Sequence, residues 1–283
     1  MAKKVIAKNI ETGYSPSVIH ANGISKVSQH WDLKARLRKE SPMQDYATWP
    51  KVLELLDSIN PDKKDLRDDL TIVTWKGGKY SNVDTVLEKS CRKFGVEVKI
   101  LPWPNHISAF WEASKAKVYE TLNAIKSSEI NTKYLMAMDA SDVVFLKHPN
   151  DVLEDYLKMF GNYKSVWCTE ANDWPRFDLP KYVHYPVLDD YLTKVSKKDT
   201  ERIQAHNSRF AYINVGCAVG ETESFEKFYQ TSYDICKDMT TNDQAMGRIS
   251  QYILEDDHIG DYECKIFQCL YDVSLQSLHL STE

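Results

Sequence analysis

The chain has 283 residues, 42% of them hydrophobic and 27% charged, with a formal net charge of −5. That length can bury a sizeable core as one large domain with or without an appendage. The charge balance carries no global signature for nucleic acid, and no run approaches the roughly 18 apolar residues of a membrane span. Residues 1–8 hold no apolar stretch long enough for a secretory signal, so a cytoplasmic protein is expected. The cysteines at 91, 168, 217, 236, 264 and 269 are scattered and form no Cys-x-x-Cys pair. They read as free, buried thiols of a reducing compartment rather than a zinc framework.

In chain order, residues 17–23 form a short strand-like segment, followed by a polar helical stretch to Arg38. Residues 41–69, with Pro42, Pro50 and Pro61, read as a connector carrying one helix over 49–59. The expected organisation is therefore an N-terminal segment, 1–69, packed on a main domain, 70–283. Within the latter, 70–75 reads as a strand, 82–94 as a helix, 96–101 as a strand and 111–127 as a helix. A strand at 134–138 follows, then one at 164–169, a strand pair or bulged strand over 210–220, helices over 222–238 and 243–254, and a late strand over 263–268. Strand and helix alternate, which predicts a parallel α/β sheet with ligands beyond the carboxyl ends of its strands.

The stretch Tyr134-Leu-Met-Ala-Met-Asp139-Ala-Ser-Asp142-Val-Val-Phe places two carboxylates three residues apart between two apolar runs. An unpaired buried carboxylate costs several kcal/mol, so the pair needs a cation. Oxygen ligands at a strand end suit a hard divalent ion, Mn²⁺ or Mg²⁺, whose usual client is a diphosphate. Turns also favour Asp, so a helix cap or an ion pair remains open on the residues alone.

Other segments give that pair a context: Lys117 in the preceding helix, Glu170-Ala-Asn-Asp-Trp174-Pro, Asn214-Val-Gly216-Cys-Ala-Val-Gly220, Asn242-Asp243-Gln244 and Cys264-Lys-Ile-Phe-Gln268. In content and order, over about residues 70–272, the set resembles the glycosyltransferase domain of the procollagen lysyl hydroxylase/glucosyltransferase family, which has a GT-A fold. The resemblance implies that Asp139 and Asp142 bind Mn²⁺ and the UDP moiety. It further implies that Thr74, Trp75, Lys117, Ser141, Gly216 and Gln244 lie along the nucleotide sugar, and that Trp174, Asn214, Glu170 and Asp243 serve the donor sugar, the acceptor or catalysis. Where the family carries an acidic run this chain has Thr-Thr-Asn-Asp243, so its choice of acceptor is expected to differ.

That family takes its third metal ligand from a histidine near the end of the domain, and residues 270–283 hold nothing comparable. A similar segment, His20-Ala-Asn-Gly23-Ile-Ser-Lys26, stands near the beginning instead. The reading is a circular permutation, with His20 as the third ligand and Gly23 and Lys26 facing the diphosphate. The implied activity is transfer of a sugar from a UDP-sugar, UDP-glucose favoured weakly, to a hydroxylysine-like protein acceptor, a glycan or a hydroxymethylated DNA base. The basic cluster Lys34, Arg36, Arg38 and Lys39 keeps a polyanion among the partners. Two alternatives stand beside it: a non-catalytic nucleotide-sugar-binding domain, and a metal-dependent nucleotidyltransferase.

Overall fold

A computed structural model describes residues 5–21, 48–58, 61, 63–77, 82, 84–103, 110–174, 189–236, 243–270, 273 and 276–282. Gly23, Lys26, the helical stretch to Arg38 and the basic cluster at 34–39 lie outside the described residues.

The main sheet is built around a strand buried on both faces. In β5 (Tyr134–Met138), Tyr134, Met136 and Met138 enter one hydrophobic core, while Leu135 and Ala137 enter another. That is the period-two alternation of a strand with helices on both sides, and it explains a nearly unbroken apolar run. Beside it lie β3 (Leu70–Lys76) and then β4 (Lys99–Pro102) on one side. On the other side come β8 (Tyr212–Glu221), β7 (Ser165–Glu170) and β9 (His258–Gly260).

Against one face pack α2 (Val86–Lys93) and α4 (Pro149–Phe160), contributing Leu87 and Cys91, and Val152, Leu153, Tyr156 and Phe160. Against the other pack α3 (Phe110–Lys126), α6 (Thr222–Cys236) and α7 (Asp243–Ile253), with Val118, Leu122, Phe225, Phe228 and Met246. There Trp167 stacks on Phe228 with ring centroids 4.0 Å apart. Two further helices, α1 (Thr48–Ser58) and α5 (Asp189–His206), flank this body. No helix among the described residues is long and apolar enough to cross a membrane.

The sheet is mostly parallel, as expected for an α/β fold flanked by helices, and the exception is β8, which runs antiparallel to both β5 and β7. A run buried on both faces reads the same in either direction, so the sequence pattern does not fix its sense. Of the two readings of 210–220, the bulged strand holds: β8 is one strand from Tyr212, and between the pairs Trp167–Ala218 and Thr169–Ile213 its residues 214–217 bulge opposite Cys168 of β7.

Three boundaries also move. Helix α2 starts at Val86 rather than 82, because Thr85 and Glu88 close a capping box. Strand β4 covers 99–102 rather than 96–101. The late strand shrinks to β10 (Phe267–Cys269), because the buried Asp261 carboxylate accepts the amides of Lys265, Ile266 and Phe267 at 2.7–2.8 Å and holds that stretch as a turn.

A second, three-stranded sheet has the order β10, β2 (Val18–His20), β6 (Val143–Phe145). Strand β2 is parallel to β10 and antiparallel to β6, so residues from both ends of the chain flank the turn that follows β5. A separate antiparallel pair joins β1 (Val5–Asn9) to β11 (Leu278–Thr282).

Candidate functional site

The turn from Asp139 to Asp142 is held by backbone bonds from three directions. Asp139 donates its amide to Gly216 of β8 at 2.7 Å, Ala140 accepts from Leu87 of α2 at 3.1 Å, and Asp142 accepts from Ala21 at 2.8 Å. The carboxylates are thus positioned by the core rather than by a solvated loop. His20 sits at the end of β2, one residue before Ala21. Its Nε2 lies 3.7 Å from Asp139 Oδ2 and 3.7 Å from Asp142 Oδ2. His20 and Asp142 are buried and Asp139 is partly exposed.

Lys117 of α3 reaches the same cluster, with Nζ 2.7 Å from Asp139 Oδ1 and 2.7 Å from Asp243 Oδ2. Its ammonium also lies 5.2 Å from the centre of the Trp75 ring. Burial pulls the Lys117 pKa down, and Asp139 and Asp243 outweigh it, so the lysine stays charged. Burial and the neighbouring Asp142 and Asp243 push the Asp139 carboxyl up, against Lys117 and His20. Burial also pulls the His20 imidazole down, but Asp142 above all, with Cys168 and Asp139, carries it up to about 10.

The donor set fits a divalent ion. Ligand atoms of His20, Asp139 and Asp142 all lie within 4.8 Å of one another, two carboxylate oxygens and one imidazole nitrogen, as Mn²⁺ accepts. With His20 neutral, as a ligand must be, three carboxylates face one ammonium, and the surplus of two negative charges is what such an ion offsets. Space also supports it. A Cβ on Gly216 would come within 2.3 Å of His20 Cε1 and 2.8 Å of Asp139 Oδ2, so only glycine lets β8 pass beneath these side chains.

Next to the cluster, Glu170 at the end of β7 is buried and its Oε1 accepts from Asn214 Nδ2 at 2.8 Å and from Gln244 Nε2. Asn214 Oδ1 in turn accepts the Gly216 amide at 2.8 Å, and Gln244 Nε2 also donates to the Trp174 carbonyl at 3.0 Å. Glu170, Asn214, Gly216, Gln244 and Trp174 therefore form one network, and Asp243 joins the lysine on its other side. Burial pushes the Glu170 carboxyl up to about 7, against the hydrogen bonds from Gln244 and Asn214.

That shift has a sign. A folded-state pKa above the unfolded one means the native state binds more protons between the two, so stability falls as pH rises from about 4.5 to about 7 and then levels off. Glu170→Gln keeps an acceptor for both amides and removes the buried charge. Its melting temperature should gain on wild type over that window and keep the gain above it, by an amount equivalent to about 3 kcal/mol. Melting curves from about pH 4 to pH 8 check this, and parallel curves for the two proteins would refute it.

Some expected contacts are arranged differently. Thr74 is fully buried and its hydroxyl donates to the Met138 carbonyl at 2.7 Å, bracing the end of β5. Trp75 is buried and its Nε1 donates to Thr121 at 3.0 Å. Both side chains are committed to the fold. Ser141 is exposed, its hydroxyl 3.4 Å from Asp142 Oδ1.

Two features escaped sequence reasoning. Arg248 of α7 pairs with Asp173 at 2.8 Å and with the buried Asp199 at 2.5 Å, and Arg202 joins Asp199 at 2.9 Å. This network ties the segment before Trp174 to α5 and α7; the Asp199/Arg202 spacing on a helix was its one local signal. The second is a group of thiols behind His20. Cys168 Sγ is 3.2 Å from Cys269 Sγ, which is 3.5 Å from His20 Nδ1. Five of the six cysteines are free and buried; the Cys236 side chain lies outside the described residues.

No protein-family model matches the chain. It is 25% identical over 210 residues to "Uncharacterized protein R699" of Acanthamoeba polyphaga mimivirus, across 72% of this chain and 40% of that protein. The chain thus spans well under half the length of the relative it matches. Among solved structures, apo mouse xyloside xylosyltransferase 1 aligns over 76% of each chain with a TM-score of 0.34 and 9% identity.

Proposed function

We propose that this chain is a metal-dependent glycosyltransferase of GT-A type that moves a sugar from a UDP-sugar to a hydroxyl acceptor. One observation carries the reading: His20 meets Asp139 and Asp142 at 3.7 Å although the histidine lies far from both in the chain. The order of motifs resembling the lysyl hydroxylase/glucosyltransferase family is consistent with it. The parallel pairing of β2 with β10 is the juxtaposition of the two ends of the domain that a circular permutation requires.

His20 Nε2, Asp139 and Asp142 would hold Mn²⁺, or Mg²⁺, which when bound offsets the charge of the leaving diphosphate as a Lewis acid. Lys117 holds Asp139 and Asp243 apart as charges and adds positive potential at the donor end. Gly216 leaves room for the ligands, and Asn214 fixes the orientation of Glu170. Glu170, its carboxyl carried up to about 7, is suited to take a proton from an acceptor hydroxyl near neutral pH, should the reaction invert configuration. Asp243 is held by Lys117, its Oδ2 2.7 Å from the ammonium, and is the second candidate for that role. Trp174, Gly23 and Lys26 complete the donor contacts that the family resemblance implies. The acceptor stays open among protein, glycan and modified DNA.

The test is UDP release from a panel of UDP-sugars with Mn²⁺, run on wild type and on His20→Ala. Turnover is expected with at least one donor, UDP-glucose first, and loss of Mn²⁺ affinity in the variant. Consumption of nucleoside triphosphates instead of UDP-sugars would replace this reading with a nucleotidyltransferase. Binding without turnover would leave a nucleotide-sugar-binding domain, and unchanged Mn²⁺ affinity in His20→Ala would end the permutation.

A further inference from the structure

His20 has two faces. Its Nε2 points to carboxylates, and its Nδ1 points to sulfur. Cys269 is its lateral neighbour in the parallel register of β10 and β2, with Sγ 3.5 Å from Nδ1. Cys168 reaches the same place from β7, its Sγ 3.2 Å from that of Cys269. The Sγ atoms of Cys168 and Cys269 and a ring nitrogen of His20 all lie within 4.8 Å of one another. A third thiol, Cys217 of β8, is an electrostatic neighbour of Cys168. Both paired cysteines and Cys217 are fully buried, and His20 is 2% exposed.

We propose that Cys168, Cys269 and His20 Nδ1 form a second, thiophilic metal site, which takes Zn²⁺. Two thiolates and one imidazole supply three of the four ligands of a tetrahedral zinc set, in a site closed off from bulk solvent. Sulfur ligands select against the hard ions that the carboxylate face prefers, so the two faces of one histidine sort two classes of metal. Each thiol that ligates loses its Sγ–H bond and releases one proton to solvent as a Zn–S bond forms; zinc keeps its charge and nothing is oxidised. The closed position means that the ion enters as the chain folds.

A consequence follows for the carboxylate face. A neutral imidazole has a single ring lone pair. With Nδ1 on zinc, Nε2 keeps its hydrogen and becomes a donor toward Asp139 and Asp142 instead of a ligand. Zinc on the thiol face therefore opposes a hard cation on the other, and this consequence rests on the glycosyltransferase reading whereas the zinc site does not.

Cobalt is the probe. Reduced, metal-free full-length chain titrated with Co²⁺ should develop a strong thiolate-to-cobalt charge-transfer band in the near ultraviolet, with the visible bands of a tetrahedral ion. The band should saturate at one ion per chain and vanish on adding Zn²⁺. Asp142→Asn should keep the band and Cys269→Ser should lose it. Zinc-loaded wild type should bind Mn²⁺ at least about tenfold more weakly than metal-free protein, the scale on which ligand-orienting partners act. Wild type without a thiolate band, or a band that survives Cys269→Ser, would overturn the site, and the wild-type titration decides even if the serine variant fails to fold. Recovery of Cys168 and Cys269 as a disulfide from alkylated fresh lysate would also overturn it. A band that persists while Mn²⁺ affinity is indifferent to zinc would refute only the antagonism.

Discussion

Asp142→Asn should lower donor turnover by about a thousandfold and abolish saturable Mn²⁺ binding, with the fold retained. The magnitude follows from the share of transition-state charge that a bound ion offsets, several kcal/mol, at about 1.4 kcal/mol per factor of ten. Asp142 is the more sensitive of the two carboxylates for an electrostatic reason. Asp139 already has the Lys117 ammonium 2.7 Å from its other oxygen, so part of its charge is matched before any metal arrives. Asp142 is buried, 3.7 Å from His20 Nε2, and supplies most of the charge left for a cation on that side. Asparagine preserves shape and lets the backbone bond from Ala21 persist, so a loss of activity reads as a loss of charge. Mn²⁺ binding by electron paramagnetic resonance and UDP release are the two measurements. If the variant binds Mn²⁺ and turns over donor like wild type, the assignment of this cluster as the metal site fails.

How much of this arrangement the chain discloses depends on distance along it. The carboxylate pair was legible because Asp139 and Asp142 interrupt two apolar runs that now appear as β5 and β6, both fully buried. Lys117 was legible as a helix residue from the pattern of 111–127 and as a nucleotide contact only through family resemblance; nothing in its local sequence says that it reaches Asp139 and Asp243 together. The sense of β8 was hidden, since strands buried on both faces carry no directional pattern. The thiol cluster was hidden for a different reason. Cys168, Cys217 and Cys269 lie on β7, β8 and β10, so they have no short spacing that a metal motif would show, and only the pairing of β10 with β2 puts one beside His20. The shortened strand at 267–269 was likewise set by a side chain outside it, Asp261, whose carboxylate takes three consecutive amides.

Lys117→Met is expected to destabilise the metal-free protein by about 3 kcal/mol, and Mn²⁺ should restore much of the loss. The methionine keeps most of the apolar stem and removes the ammonium. Asp139 and Asp243 then lose the cation that lies 2.7 Å from each, and two largely buried carboxylates are left to repel. Leaving a buried charge without its partner costs about 3–5 kcal/mol, and the partial exposure of both carboxylates places the expected value at the lower end. Acid should relieve the strain, because burial and like charge already push the Asp139 carboxyl up, and removing Lys117 removes the largest opposing influence. The variant's stability should therefore fall as pH rises through the carboxylate range, more steeply than that of wild type. A divalent ion between Asp139, Asp142 and His20 returns positive charge to the same pocket, which a purely structural lysine would not predict. Urea denaturation of both proteins with and without Mn²⁺ separates the cases. Equal losses in both conditions would mean that Lys117 supports packing alone, whereas a loss confined to the metal-free state would establish that lysine and metal share the task of offsetting these carboxylates.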